Sequence, residues 1–170
     1  GRSVAVLAVD PSSPITGGAL LGDRIRMQSH IDDGGVFIRS MANRGHLGGL
    51  SLAAGAVVGL LANARFDFVF VETVGVGQSE VEVMGVVDMV VLVLAPGWGD
   101  QIQADKAGIV EVADIFVINK ADRSGVDQLK RILAEVTTHG DRTRDVVVTT
   151  ATTGDGIDHL IEAIHRFTSG

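Results

Sequence analysis

Short runs of β-branched and other apolar residues recur along the chain, each flanked by Gly, Asp or Asn. Runs of this length and composition are typical of buried strands. They predict strands at residues 4–9, 68–71, 89–94, 115–118 and 146–148, and a minor extended segment at residues 36–40. We expect that segment to lie beside the first strand, although the pattern does not define its pairing.

The stretches between these strands have apolar positions at helical spacing. They predict helices at about residues 50–64, 103–111, 126–137 and 157–167. Because strands and helices alternate, we expect a three-layer α/β fold, in which a mostly parallel sheet has helices on both faces. Ligands bind such sheets where loops leave the carboxyl ends of the strands, so we expect the chemistry in those loops.

The composition narrows the class of protein. With 170 residues, of which 46% are hydrophobic, the chain suits one domain with a sizeable core. A formal net charge of -7, with no run of Lys or Arg, argues against a nucleic-acid partner. The absence of cysteine excludes a disulfide framework and fits a cytoplasmic location. The longest apolar runs reach about ten residues, short of the roughly 20 that span a bilayer, so we expect no membrane partner.

The strongest short motif is Asn119-Lys120-Ala121-Asp122, which follows the strand predicted at residues 115–118. A carboxylate such as Asp122 can accept hydrogen bonds from N1–H and the exocyclic amine of guanine, and adenine has no matching pair of donors. The stem of Lys120 can cover the base, and Asn119 can connect neighbouring loops. The alternative is that Asp122 caps the helix beginning near Val126 while Lys120 is merely solvated.

A second motif begins at Glu72 and includes Gly75, after the strand predicted at residues 68–71. A carboxylate at a strand end can face Mg²⁺ or its water shell, and the Gly75 amide can approach a γ-phosphate. Loss of that phosphate would then release the loop. The alternative is that Glu72 forms a helix cap or an exposed salt bridge and that Gly75 is an ordinary turn glycine.

Four other residues could belong to the same nucleotide site. Asp10 follows the first strand and Asp23 follows a Gly-rich stretch, so both could join Glu72 in a magnesium and hydrolysis cluster. Either Asp alone would be an ordinary cap or turn residue. Thr150 and Ala151 follow the last strand, and backbone amides there could complete a guanine pocket at the O6 side. The five histidines show no metal-ligand spacing.

Taken together, these residues resemble the methylmalonyl-CoA mutase-associated GTPases of the MeaB and ArgK type, within the SIMIBI class of P-loop GTPases. The matching stretches are residues 4–13, 16–18, 21–24, 45–49, 71–80 and 119–122. The resemblance implies a P-loop NTPase fold, with Asp10, Asp23 and Glu72 at the magnesium and switch positions. It also implies GTP and GDP as ligands, and a role in chaperoning an adenosylcobalamin-dependent methylmalonyl-CoA mutase. Older family labels instead name amino-acid transport ATPases or kinases.

One departure from the family pattern is that no G-x-x-x-x-G-K-[ST] motif occurs in the printed sequence. We therefore expect residues 1–170 to be a partial GTP-binding domain, without the first strand, the P-loop and the C-terminal arm through which such proteins form homodimers. Alternatives are a nucleotide-independent interaction module and a nickel-insertion GTPase of related fold. The nickel alternative is weakened by the absence of cysteine.

Overall fold

The computed structural model describes residues 2–11, 27, 30, 32–43, 49–73, 84–98, 109–137 and 144–169. The chain forms two compact units, Gly1–Val87 and Asp88–Gly170. Within the described ranges, none of the helices has the length and apolar character needed to cross a lipid bilayer. The expectation of one partial GTP-binding domain over residues 1–170 stays a prediction.

The first unit contains a three-stranded parallel sheet. Its elements are β1 (Val4–Pro11), β2 (Val36–Asn43), α1 (Gly49–Asn63) and β3 (Phe68–Thr73). The strand order is β2-β1-β3, so β1 lies in the middle. Leu7 and Val9 of β1 pack with Ala54 of α1, which places this helix against one face of the sheet.

The second strand differs in size from its prediction. β2 has eight residues, and it pairs in parallel with the whole of β1, from Val4 opposite Val36 to Pro11 opposite Asn43. The sequence pattern predicts a segment that ends at Ser40, because the polar residues Arg39 and Ser40 follow its apolar residues. Pairing with a buried central strand supplies the hydrogen bonds that local sequence does not reveal.

The second unit contains another three-stranded parallel sheet, in the order β4-β5-β6. Its strands are β4 (Val91–Leu94), β5 (Ile115–Ile118) and β6 (Asp145–Val148). Its helices are α2 (Ile109–Val112), α3 (Val126–Thr137) and α4 (Ile157–Ser169). The helix predicted at residues 103–111 lies mostly outside the described residues, and only α2 is seen there.

Helices cover both faces of this second sheet, as the alternation of elements predicts. All four residues of β5 are buried. Phe116 and Ile118 belong to the core formed with Leu129 and Leu133 of α3. Ile115 and Val117 belong to a separate core with Ala163 of α4. Because successive strand residues face opposite sides, a strand buried on both faces reads as a continuous apolar run.

Side-chain carboxylates join neighbouring strands near their amino-terminal ends. Asp67, just before β3, accepts hydrogen bonds from the amide and the hydroxyl of Ser3, at 2.6 and 3.0 Å. The backbone hydrogen bond first, and then the hydroxyl, lower the pKa of Asp67 from its usual value. Asp114, just before β5, accepts a hydrogen bond of 2.9 Å from the amide of Val90. These contacts lie at the amino-terminal ends of the strands, whereas ligands of such sheets bind at the opposite, carboxyl ends.

Candidate functional site

Asn119 connects three strand ends in the second unit. Its amide donates a hydrogen bond of 2.8 Å to the carbonyl of Leu94, the last residue of β4. Its side-chain Oδ1 accepts hydrogen bonds from the Thr149 hydroxyl at 3.2 Å and from the Ala151 amide at 3.1 Å. The loop after β5 is thus tied to β4 and to the segment after β6, as the sequence motif predicts for this asparagine.

Lys120 lies at a sharp bend of the backbone. Its φ angle is 59°, in the left-handed region that non-glycine residues seldom adopt. The bend lets the amide of Ala121 donate to the carbonyl of Thr149 at 3.1 Å, and the amide of Arg123 donate to the carbonyl of Lys120 at 3.0 Å. Unusual backbone conformations of this kind cluster at binding sites, where the surrounding contacts hold them. The Lys120 side chain is exposed.

Asp122 is exposed and precedes α3 by four residues. The first turn of α3 begins after Gly125, whose carbonyl accepts a hydrogen bond of 3.1 Å from the amide of Leu129. Among the residues that the structure describes, no amide of α3 donates to the Asp122 carboxylate. The alternative role as a helix cap is therefore not observed, and the carboxylate is accessible to a ligand.

The segment between β6 and α4 forms a compact turn, Thr149 to Gly156. The amide of Thr150 donates to the carbonyl of Asp155 at 2.9 Å, which makes a small antiparallel bridge. In turn, the amides of Thr153 and Gly154 each donate to the carbonyl of Thr150 at 3.0 Å. Thr149 and Thr150 are buried. The shape of this turn is therefore fixed mostly by its own backbone.

This geometry bears on the predicted roles of Thr150 and Ala151. The Thr150 amide is used by Asp155, and the Ala151 amide is used by Asn119. A guanine O6 would have to share the Ala151 amide with Asn119. The neighbouring amide of Thr152 is another donor at this position, and it has no acceptor among the described residues. Recognition of O6 by this segment stays a prediction.

Gly156 allows the turn to lie against β6. Its φ angle is 76°, and a Cβ built on it would lie 2.0 Å from the carbonyl oxygen of Val148. A side chain there would collide with backbone rather than with a flexible group. Gly154 has a φ angle of 84° but open space around the position of a Cβ. Of these two turn glycines, Gly156 alone combines a backbone requirement with a steric one.

In the first unit, Glu72 lies in β3 rather than in the loop after it. It is opposite Ala8 of β1, and Asp10 lies two residues farther along that neighbouring strand. One carboxylate oxygen of Glu72, Oε2, is buried. The alternative of an exposed salt bridge does not fit this burial. A carboxylate oxygen is a ligand that Mg²⁺ prefers, so the chemistry of Glu72 is compatible with the ion, and its role there stays a prediction.

Several predicted residues lie outside the described part of the chain. These are Asp23 and Gly75, and also the side chain of Asp10, whose backbone is described. Among the described residues, no group of three or more His, Asp or Glu side chains could hold a metal ion. The predicted cluster of Asp10, Asp23 and Glu72 is therefore not tested by the geometry, and it stays a prediction.

Sequence reasoning missed the part played by Thr149. This buried residue donates its hydroxyl hydrogen to Asn119 and its amide hydrogen to the carbonyl of Ile118, at 3.2 and 2.9 Å. A signal was present, because Thr149 directly follows β6 as Asn119 directly follows β5. Polar residues at equivalent positions after neighbouring parallel strands lie at the same edge of the sheet.

Comparison with known proteins identifies the family of the chain. The family model described as "Methylmalonyl Co-A mutase-associated GTPase MeaB" matches residues 1–170. The chain belongs to the MeaB family. A relative from Pyrococcus horikoshii, which is named as a GTPase, is 52% identical over 174 residues, covering 96% of this chain and 54% of the relative. GTPase ArgK of Escherichia coli is 51% identical over 122 residues, covering 72% of this chain and 37% of ArgK.

A relative from mouse, the mitochondrial "Methylmalonic aciduria type A homolog", is 38% identical over 175 residues, covering 98% of this chain and 42% of that protein. This MeaB-family chain therefore spans about half the length of its curated relatives, as the 54% coverage of the Pyrococcus protein shows.

The fold also matches that of a solved structure. The structure of HypB from Helicobacter pylori in complex with nickel matches with a TM-score of 0.65, covering 98% of this chain and 77% of HypB. At 16% sequence identity this likeness concerns the fold alone. Together with the parallel sheets, it confirms the α/β P-loop class that the alternating pattern and the family resemblance predict for this MeaB-family chain.

Proposed function

We propose that this chain contributes guanine-nucleotide binding and GTP hydrolysis to a protein that chaperones an adenosylcobalamin-dependent methylmalonyl-CoA mutase. The observation that carries the nucleotide part is the network around Asn119, together with the exposed carboxylate of Asp122 just after β5. In a parallel α/β fold this is the edge at which ligands bind. Membership of the MeaB family supports the same function.

Asp122 would determine which base is bound. Its carboxylate would accept hydrogen bonds from N1–H and the 2-amino group of guanine, and adenine would leave it without these donors. A site built on such polar groups rejects the wrong partner by factors of about 10⁴ or more, because the mismatch leaves them unpaired. Lys120 would lay its apolar stem over the base, while Asn119 would hold the two loops together.

Glu72 would act at the phosphate end, with Asp10 and Asp23 as further acidic groups and Gly75 as a backbone donor to the γ-phosphate. The buried oxygen of Glu72 and the register of β1 against β3 support a carboxylate site that could hold Mg²⁺. Bound there, Mg²⁺ would neutralise charge that develops on the phosphate oxygens. Glu72 would orient the ion or its water shell, and loss of the γ-phosphate would release the loop containing Gly75.

The partner proposal rests on the family, whose description names a methylmalonyl-CoA mutase-associated GTPase. A relative named for methylmalonic aciduria supports the same assignment. We propose that the full-length protein binds this mutase in the cytoplasm and that it is a homodimer. Neither nucleic acid nor a membrane is among the expected partners.

The substitution Asp122→Asn tests base recognition in the full-length protein. An amide can donate a hydrogen bond to the 2-oxo group of xanthine, whereas the carboxylate accepted one from the amine of guanine. We expect GDP affinity to fall by about 100-fold or more and XDP affinity to rise until XDP is preferred. Titration of both nucleotides by calorimetry measures the change.

A matched control is Asp127→Asn, which removes the same charge from an exposed position in the first turn of α3. This variant should keep the guanine preference of the wild type. Unchanged guanine preference in Asp122→Asn would refute the role of Asp122. Absence of any guanine-nucleotide binding by the full-length wild type would instead favour a nucleotide-independent interaction module.

A further inference from the structure

The turn from Thr149 to Gly156 contains a side-chain hydrogen bond that does not involve the Asn119–Asp122 motif. The Thr153 hydroxyl lies 2.7 Å from Oδ2 of Asp155 and 3.1 Å from the carbonyl oxygen of Thr150. A hydroxyl has one hydrogen to donate, and both acceptors lie within the same turn. The shorter bond is to the carboxylate, as expected for a charged acceptor.

This side-chain bond closes the turn at the point where its backbone is most constrained. Thr150 and Asp155 are joined by the bridge between their backbones, and Thr153 is joined to both residues. At the far end, Gly156 is pressed against the carbonyl oxygen of Val148, where no Cβ could fit. The backbone of the turn thus lies close to β6 at Gly156, and the Thr153 bonds limit the opening of the turn.

Two other residues of the same turn contact the loop after β5, which contains the Asn119–Asp122 motif. The Ala151 amide and the Thr149 hydroxyl both donate to Oδ1 of Asn119. The position of Asn119 relative to Asp122 is set by the loop after β5, and its position relative to the last strand is set by these two donors. A shift of the turn would therefore change the donors available at the O6 side of a bound base.

We propose that Thr153 and Asp155 are positioning residues for guanine recognition, holding the Thr149–Gly156 turn so that its donors meet Asn119 and the O6 side of the base. This role rests on the guanine-nucleotide binding proposed above. Neither residue needs to touch the nucleotide. Both act through the turn, and their effect is on the discrimination of the base.

Thr153→Val tests this role in the full-length protein, because valine keeps the branched shape and removes the hydroxyl. One hydrogen bond of ordinary strength corresponds to an affinity loss of about 3- to 10-fold for GDP. 6-Thioguanosine diphosphate keeps N1–H and the 2-amino group but has sulfur, a weak hydrogen-bond acceptor, in place of O6, so its weaker binding should change less than about twofold in the variant. The ratio of the two dissociation constants therefore reports the O6 side specifically.

Two further variants complete the experiment. Thr153→Ser restores the hydroxyl and should restore the wild-type ratio. Thr168→Val is the matched control, because it removes a threonine hydroxyl that donates, within the described part of the chain, to the carbonyls of Ile164 and His165 near the end of α4. It should leave both dissociation constants unchanged.

The outcomes separate the two proposals. Equal weakening of GDP and of the analogue in Thr153→Val, without rescue by serine, would show a general structural role and overturn the inference. Wild-type GDP affinity in Thr153→Val would overturn it as well, while leaving guanine binding intact. If the wild type binds no guanine nucleotide, the proposed function fails first, and the inference fails with it.

Discussion

At the scale of single residues, two non-glycine residues adopt positive φ angles among those described. Arg65 has a φ angle of 63° and Lys120 has one of 59°. Arg65 lies in the turn between α1 and β3, where its amide donates to the carbonyl of Ala62 at 3.1 Å. Lys120 lies in the Asn119–Asp122 motif, for which guanine recognition is proposed. For an L residue this conformation costs roughly 1–2 kcal/mol, so each position is strained.

Replacement of each residue by glycine separates strain from function. Glycine relieves the strain but makes the unfolded chain more flexible, which removes about 0.4–1 kcal/mol. Lys120→Gly and Arg65→Gly should therefore each change the free energy of unfolding by between zero and about 1.6 kcal/mol, in the stabilising direction. Urea-induced unfolding of the full-length variants measures this change.

Of the two substitutions, only Lys120→Gly should change the affinity for the nucleotide. Loss of the lysine stem over the base removes apolar contact worth about 1–2 kcal/mol, so GDP affinity should fall by about 10-fold. Arg65→Gly is the matched control and should bind GDP as the wild type does. Equal GDP affinities in the two variants would show that Lys120 does not cover the base.

The sequence motif predicts that Asn119 connects neighbouring loops, and its hydrogen bonds with Thr149 and Ala151 form such a connection. The match of the Asp122 carboxylate to guanine rests on its chemistry and on its place after an apolar strand, and it stays a prediction. The bond from Thr149 to Asn119 was missed, although Thr149 directly follows one apolar strand as Asn119 follows another. Its geometry depends on the register of β5 with β6, which places Ile118 opposite Val148 and is not encoded in any local pattern.

At the scale of elements, burial decides which predictions succeed. The bounds of β5 and α3 are those predicted, because β5 is an apolar run buried on both faces and α3 has one apolar face. β2 and β3 are longer than predicted, since polar residues near their carboxyl ends still pair with β1. Local patterns report burial, and they do not report how far a ladder of backbone hydrogen bonds continues.

The contact between Ser3 and Asp67 joins the starts of β1 and β3, and it predicts a pH dependence. Because the pKa of Asp67 is lowered in the folded state, its contribution to stability is present above the unfolded pKa of about 3.9. That contribution should be lost as the pH falls through the lower folded pKa. Asp67→Asn should therefore flatten the fall in stability on acidification.

Urea-unfolding midpoints measured from about pH 6 to about pH 3 test this prediction, as a difference between wild type and variant. Ser3→Ala removes the hydroxyl but keeps the amide donor, so it should flatten the curve only in part. In the double variant, Ser3→Ala should add no further pH dependence to that of Asp67→Asn. Parallel curves for the wild type and Asp67→Asn would contradict the assignment.

At the scale of the whole molecule, base recognition and phosphate chemistry are proposed for different units of the chain. Asn119, Lys120 and Asp122 belong to the second unit, whereas Glu72 and Asp10 belong to the first. The chain spans about half of the relatives' length, so activity and partner binding are properties to test in the full-length protein. A change confined to base recognition offers a way to test the coupling to the mutase without altering the residues proposed for hydrolysis.

Asp122→Asn provides this change, because it should replace the preference for guanine nucleotides by one for xanthine nucleotides and leave the residues proposed for the switch unchanged. If association with methylmalonyl-CoA mutase depends on the nucleotide state, the affinity of the wild type should differ between GTP and GDP by about 5- to 150-fold, the usual range of coupling between sites. In Asp122→Asn the same difference should be seen between XTP and XDP. Surface-bound mutase, with the full-length proteins in solution, allows all four nucleotides to be compared.

Linkage adds an independent check on this coupling. If the triphosphate changes the affinity for the mutase by a given factor, the mutase must change the affinity for the triphosphate by the same factor. The two factors should agree for GTP in the wild type and for XTP in Asp122→Asn. Association of the variant that still follows GTP would mean that the mutase responds to something other than the base-recognition site. Association that ignores every nucleotide in the wild type would show that mutase binding and nucleotide binding are separate functions of this protein.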